Sequence, residues 1–289
     1  MQRIGLIINL EKPQAVEVTR ELLAWFENRR VTVKMPHHNA RALGKEELGL
    51  DEGEVPGQVE VILVLGGDGT LLHAARAVAP NGTPLLGINM GQLGFLTEIE
   101  QPDVFAGMEK LMAGQYRIEQ RMMLEATIRR GGDVADRFLA LNDVVITKGG
   151  FSRMINLETY VGRDLIATYP ADGLIVSSST GSTAYSLSAG GPIVSPDVQV
   201  MILTPICPHT LNARPVVISP RQRVRVVLRS EFTEAMLTVD GQDGVKLQRD
   251  DEISVVRASY STRLVRLKGG RNFYEVMREK LREGGRDGG

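Results

Sequence analysis

Five consecutive apolar residues, Val61-Ile-Leu-Val-Leu65, run straight into Gly66-Gly-Asp-Gly69, and apolar residues then recur at Leu71, Ala74, Ala75 and Val78. An unbroken apolar run of this length is a strand buried on both faces, and such a strand belongs to a parallel sheet covered by helices. The recurrence at i, i+3, i+4 and i+7 is one face of a helix, which Thr70 is expected to cap. One carboxylate, Asp68, therefore sits at the carboxyl end of a strand, where open α/β sheets bind ligands. Glycines there permit φ > 0 and close approach to the backbone, and N–H groups at a helix start attract phosphate. An acid is at odds with a purely anion-binding turn. Asp68 reads either as a base or metal contact, or simply as a turn-forming residue.

The same alternation holds from the N-terminus. Arg3–Asn9 reads as a buried strand, Pro13 to Arg30 as a helix with Val18, Leu22, Trp25 and Phe26 on one face, and Val31–Met35 as a short strand. His38 to Gly57, polar and acidic, reads as a mobile connection with room for a short helix. Pro84–Asn89 is a further strand and Pro102–Ala113 a helix. Near Tyr116 the pattern changes to strand-like segments, including Arg117–Arg129, Phe138–Thr147, Ile155–Tyr160, Val198–Ile206 and Arg223–Arg229. We therefore expect an α/β domain over residues 1–115 and a mainly β domain, a sandwich, over 116–268. Residues 269–289 should form a helix returning to the first domain, marked by Phe273, Val276, Met277 and Leu281, with a frayed tail.

Composition removes several classes. The net charge of −1 over 289 residues gives no pull toward nucleic acid or an anionic membrane. No apolar run approaches the ~20 residues of a membrane helix, and Met1–Asn9 is too short and strand-like for a signal peptide. The single cysteine, Cys207, forbids an intrachain disulfide and fits a cytoplasmic location. Within the apolar Val200–Cys207 run it is expected to be a core thiol. Four histidines and one cysteine show no structural-zinc spacing. There is no Walker-type loop, Gly67-Asp-Gly69-Thr-Leu-Leu72 fails the dinucleotide fingerprint, and no Gly-x-Ser-x-Gly elbow is present.

Two other stretches could carry chemistry. After the short apolar run Leu174–Val176, seven of the ten residues Ser177–Ser186 are Ser or Thr, offering donors and acceptors suited to phosphate or ribose oxygens. Tyr185 adds a flat face for a base and Asp172 a carboxylate. A solvated loop is the plainer reading. In Leu141-Asn142-Asp143-Val144, two polar residues interrupt an apolar stretch, and adjacent strand residues face opposite sides. Either a ligand partners them, or a bulge or strand end lies there. His73, off the apolar face of its helix, reads as an exposed helix residue.

Taken together, these motifs resemble those of the bacterial NAD kinase family. Gly66-Gly-Asp-Gly-Thr70 is shared with diacylglycerol and sphingosine kinases and related to the motif of phosphofructokinases. The discriminating pieces are Gly91-Gln-Leu-Gly-Phe95, Leu141-Asn-Asp143, Asp172-Gly173, Thr180-Gly-Ser-Thr-Ala-Tyr-Ser186 with Leu187-Ser-Ala-Gly-Gly-Pro192, and Asp240-Gly-Gln242, in the family's order. The resemblance implies an NAD kinase/diacylglycerol kinase-like fold with the site between an α/β and a β-sandwich domain. It implies phosphorylation of the 2′-hydroxyl of the adenosine ribose of NAD by ATP, with polyphosphate as an alternative donor. Asp68 would be the catalytic base at that hydroxyl and Gly69 a backbone contact. Asn142 and Asp143 would bind the adenosine half, Thr183, Ala184 and Tyr185 would line the adenine pocket, and Ser186, Leu187 and Ser188 would add cofactor contacts. Phe95 would add apolar contact, Asp172 would sit by the nicotinamide half, and His73, Arg153 and Gln242 would add contacts. A divalent Mg ion would accompany ATP, and the chain would form a homodimer or homotetramer. Two departures stand out: many relatives have Glu where this chain has Asp143, and Pro within the segment that reads Ser177-Ser-Ser-Thr180. A lipid or sphingoid kinase and a non-catalytic dinucleotide sensor are the rival readings.

Overall fold

The computed structural model describes residues 1–150, 153–210, 212–230 and 234–283. The chain divides into two compact units: Met1–Gln120 with Thr262–Gly289, and Arg121–Ser261.

In chain order, the first unit contains β1 (Arg3–Ile8), α1 (Pro13–Glu27), β2 (Thr32–Pro36), α2 (His37–Leu43), β3 (Gly49–Leu50), α3 (Val55–Gln58), β4 (Val61–Gly66), α4 (Asp68–Val78), β5 (Leu85–Asn89), β6 (Ile99–Glu100) and α5 (Val104–Met112). Its sheet runs β5-β4-β1-β2-β3, all parallel, with β6 alongside β5. Every residue of β4 is buried, as its apolar run requires. Ile8 lies opposite Leu65 and Gly66 opposite Asn89, so β1, β4 and β5 end at one edge.

Three local expectations need correction. The helix after β4 starts at Asp68 with Gly67 as its N-cap, so Thr70 lies inside the first turn and not at the cap. Nor do Gly66, Gly67 and Gly69 adopt positive φ. Gly66 is needed for space, because a side chain there would overlap Thr70. The segment 38–57, expected to be a mobile connection with room for a short helix, contains two short helices, α2 and α3, a 3-10 turn at Glu46–Leu48 and β3. Fully buried Asn39 anchors it by accepting from the Ile8 N–H at 3.1 Å and donating to the Ile8 carbonyl at 3.0 Å, while Gly44 ends α2 with φ of 68°. In α1, Ala15, Val18, Leu22 and Phe26 are buried, but Trp25 lies at the margin beneath the Arg29 guanidinium.

In the second unit, β7 (Tyr116–Arg130) and β8 (Asp133–Ala140) form a hairpin. They are followed by β9 (Asp143–Lys148), β10 (Ile155–Val161), β11 (Asp164–Ala171), β12 (Gly173–Ser178), α6 (Tyr185–Ser188), β13 (Met201–Ile206), β14 (Val216–Ile218), β15 (Val224–Leu228), β16 (Ala235–Val239), β17 (Asp243–Leu247) and β18 (Glu252–Leu267). One antiparallel sheet runs β14-β13-β12-β9-β16-β17, and β11-β10-β15 continue onto the first half of β18 in another. Alternate residues of the first sheet, such as Val144, Ile146, Leu174, Val176, Met201 and Leu203, share one core with Ile155, Leu157, Val224, Val226, Ile253 and Val255 of the second. That alternation is the mark of a two-sheet β core.

The expected strand Phe138–Thr147 is broken at Leu141-Asn142 into β8 and β9. Cys207 is not a core thiol: β13 ends at Ile206, and Cys207 turns outward with φ of 43° and is exposed.

The chain then re-enters the first unit. Leu264 of β18 pairs with Leu85, and buried Glu98 accepts from the Arg266 guanidinium at 3.0 Å and the Leu267 N–H at 2.8 Å. The final helix, α7 (Phe273–Glu283), sets Phe273 against Phe95 at 5.9 Å between ring centres. The tail, expected to fray, lies outside the described residues.

Candidate functional site

In the first unit, chemistry gathers on the edge where β1, β4 and β5 end. Asp68 stands at the first position of α4, partly exposed. Its Oδ2 accepts from the Phe95 N–H at 2.8 Å, and its Oδ1 from the N–H groups of Leu96 and Thr97 at 3.1 and 3.4 Å. A carboxylate has about four acceptor positions. Three are used to fix its orientation, leaving one for a ligand hydroxyl. The loop can wrap so closely only because residue 94 is glycine, since a methyl there would overlap the carboxylate. Thus two motifs, Gly66–Thr70 and Gly91–Phe95, meet at one oxygen pair. Gly69 is exposed beside it, and Phe95 is half-buried against Phe273. His73 stands further along α4, exposed, its Nε2 3.0 Å from Glu52 Oε1.

In the second unit a different acid gathers the backbone. The Asp240 carboxylate accepts from the N–H groups of Leu141, Asn142 and Asp143 at 3.0, 2.8 and 3.1 Å. Asp240 and Gly241, with φ of 50° and 67°, form the hairpin turn from β16 to β17, closed by the Gln242 N–H donating to the Val239 carbonyl at 3.0 Å. Two successive positive φ values make this a type I′ turn, which Asp-Gly favours. Asp240 therefore braces the break that carries Asn142 and Asp143, a role missed in the sequence although Asp-Gly between two strand-like runs was its signal.

Burial and the nearby Asp240 charge push the Asp143 carboxyl from 3.8 to about 7. The Ser/Thr segment packs on the same break. Ser178 Oγ donates to the Leu141 carbonyl at 2.6 Å, the Ser178 N–H donates to the Asn142 carbonyl at 2.8 Å, and a methyl on Gly181 would overlap that carbonyl.

This segment is not a solvated loop. Ser177, Ser178, Ser182 and Ser186 are fully buried, and Ser186 Oγ lies 2.9 Å from Thr204 Oγ1. A 3-10 turn, Thr180–Thr183, and α6 then present Thr183, Ala184 and Leu187 partly exposed and Tyr185 and Ser188 exposed. Asn142, Asp143 and residues 178–188 thus come together, with Gln242 exposed in the bracing turn. Asp172 lies at the start of β12, paired with Lys148 Nζ at 2.8 Å, a partner the sequence did not point to. Arg153 is exposed in the connection before β10. Among the described residues no three His, Cys, Asp or Glu side chains gather into a metal site, and no helix is long and apolar enough to cross a membrane.

Comparison with known proteins agrees across the chain. Residues 4–116 match the ATP-NAD kinase N-terminal domain and residues 141–267 the ATP-NAD kinase C-terminal domain. The NAD kinase of Moorella thermoacetica is 56% identical over 99% of this chain and 91% of its own length. That of Heliobacterium modesticaldum is 49% identical over 98% and 100%. Among solved structures, a yeast NADH kinase complexed with NADH superposes with a TM-score of 0.85 at 25% identity, covering 93% of this chain and 84% of that one. The NAD kinase from Archaeoglobus fulgidus in complex with ATP shares the fold, with a TM-score of 0.74 at 24% identity over 97% and 98% of the two chains. With both of its units matched and relatives near half-identical end to end, the chain belongs to the NAD kinase family, phosphotransferases that phosphorylate NAD.

Proposed function

We propose that this chain transfers the terminal phosphoryl group of ATP to the 2′-oxygen of the adenosine ribose of NAD, with Asp68 as the group that orients that hydroxyl and receives its proton. The observation that carries the assignment is the Asp68 carboxylate, fixed by three backbone N–H groups while partly exposed. Carboxylates, with reference pKa values near ~4, are too weak to strip a sugar hydroxyl beforehand. The proton moves as the new P–O bond forms, and the protein's main tasks are positioning and charge stabilisation. Gly69 lets the dinucleotide approach the turn, and Phe95 contributes apolar contact. Asn142 and Asp143 hold the adenosine half, and Thr183, Ala184, Tyr185, Leu187 and Ser188 line the adenine, whereas Ser186, expected among these contacts, is fully buried against Thr204 and supports the segment from within. Asp172 takes the nicotinamide half. His73, Arg153 and Gln242 are outer contacts. Mg²⁺ enters with the nucleotide, as part of the substrate.

Asp68→Asn is the test. NADP formation should fall by about 10²–10⁴-fold, the usual share of a general base, while calorimetry gives unchanged NAD affinity. Near-normal turnover would remove Asp68 from the mechanism. Dimer or tetramer formation, carried over from the family, is checked by light scattering on the purified chain.

A further inference from the structure

Lys12 stands on the Asp68 edge, and the reading above gives it no task. It follows β1, at the N-cap of α1, half-buried. Its Nζ reaches across the end of β4 to the end of β5, where it donates to the Met90 carbonyl at 3.2 Å. Among the described residues it forms no ion pair. An ammonium has three donors, and this contact uses one.

The surroundings are cleared of side chains. A Cβ built on Gly67 would stand 3.7 Å from Lys12 Nζ and one on Gly91 2.8 Å from it. Neither glycine is demanded by the backbone: Gly67 is extended, with φ of −120°, and Gly91 has no positive φ. Steric need for the lysine does not demand them either, because the tip of a flexible side chain moves aside cheaply. What glycine secures at both positions is open space beside a positive charge, and Gly67 is next to Asp68 in the turn.

We propose that the Lys12 ammonium binds an oxygen of the terminal phosphoryl group of the phosphate donor, holding that group beside the Asp68 turn. Its charge offsets the negative charge gathered where a phosphate approaches a carboxylate. It also answers the conflict in the turn's sequence, an acid placed where an anion must come: the cation is supplied from the N-cap of α1, 56 positions earlier in the chain. The proposal rests on the reading of Asp68 as the acceptor-side group.

The two alternatives, phosphate contact and tether to Met90, separate by substitution. Lys12→Gln keeps a donor for the Met90 carbonyl and loses the charge. Lys12→Arg keeps the charge. We expect Lys12→Gln to lower kcat/KM for MgATP by about 10²-fold, the scale of losing one electrostatic donor to a transferring group. KM for NAD and the melting temperature should stay near wild type, and Lys12→Arg should recover much of the loss. MgATP affinity measured by calorimetry should fall in Lys12→Gln and hold in Asp68→Asn. Wild-type kinetics in Lys12→Gln would overturn the proposal. So would equal damage by both substitutions with a lowered melting temperature, which marks a tether. Full activity in Asp68→Asn would instead overturn the reading of the turn, whatever Lys12 does.

Discussion

Asp68 and Asp240 each accept three successive backbone N–H groups, from Phe95–Thr97 and from Leu141–Asp143, yet the first is partly exposed and the second only 8% exposed. The same donor set therefore does different work. Around Asp68 the loop is fastened to the carboxylate, and an acceptor position stays open to a ligand. Around Asp240 the carboxylate is fastened into the protein, and what it presents is the strand break beside it. Each arrangement has its glycine: Gly94 gives the loop access to Asp68, and Gly181 lets the Ser/Thr segment close on the Asn142 carbonyl. The sealed acid also acts on its neighbour, since Asp240 helps raise the Asp143 carboxyl to about 7. On the proposed reading of Asp68, the difference teaches that exposure, not hydrogen bonding, separates a reacting carboxylate from a bracing one.

That contrast can be broken in several ways. The largest effect belongs to Asp68→Asn, where turnover collapses and the fold survives. If Asp240 is a brace, Asp240→Ala should do the reverse. It leaves three N–H groups without their acceptor, at about 1–3 kcal/mol for each buried donor not rescued by water, so urea denaturation should show the large loss in stability. Activity should return toward normal when the assay temperature is lowered far enough to refold the variant. A variant as stable as wild type would show that Asp240 braces nothing.

Gly94→Ala is a smaller test of the open cradle. The added methyl displaces the Asp68 carboxylate, and turnover should fall by about 10²-fold, the cost of a reacting group misplaced by about 1 Å, with little change in melting temperature. Unchanged turnover would mean the carboxylate's position is not what matters.

The smallest effect is a pH slope from Asp143. Its folded carboxyl, at about 7 rather than 3.8, holds a proton that the unfolded chain has already lost in the interval between. The unfolded state binds fewer protons there, so this group makes stability fall as pH rises from about 4 to about 7, by up to about 1.4 kcal/mol per pH unit, and adds no slope outside that window. Asp143→Asn should remove that component from stability measured across the window. An identical slope in the variant would place the proton elsewhere.

The sequence made the local parts of this architecture legible. An apolar run with no interruption could only be a doubly buried strand, and the loss of helical spacing after Tyr116 marked the β unit. What stayed hidden is non-local. The donors to Asp68 come 27 to 29 residues later and the acceptor for Leu141–Asp143 nearly a hundred residues later, and no single-sequence pattern encodes such pairs. Lys12 looks like any solvated lysine before a helix until β1, β4 and β5 are seen to end together. Cys207 misled because an apolar run does not show where its strand stops. Thr70 misled because its hydroxyl suits a cap, whereas Gly67, with no side-chain oxygen to offer, takes that place.

The return of the chain at Thr262 also has a consequence for how the protein is made. The first unit is interrupted in sequence by the whole of the second. On the ribosome, β1 to α5 emerge early, yet Glu98 meets Arg266 and Leu267, and Leu85 meets Leu264, only when the last tenth of the chain has been synthesised. Glu98, whose buried carboxyl is pushed upward chiefly by its removal from water, has no guanidinium until then. The unit carrying Asp68 is thus the first begun and the last finished, and a nascent chain stalled before Thr262 holds the candidate catalytic base in an incomplete frame.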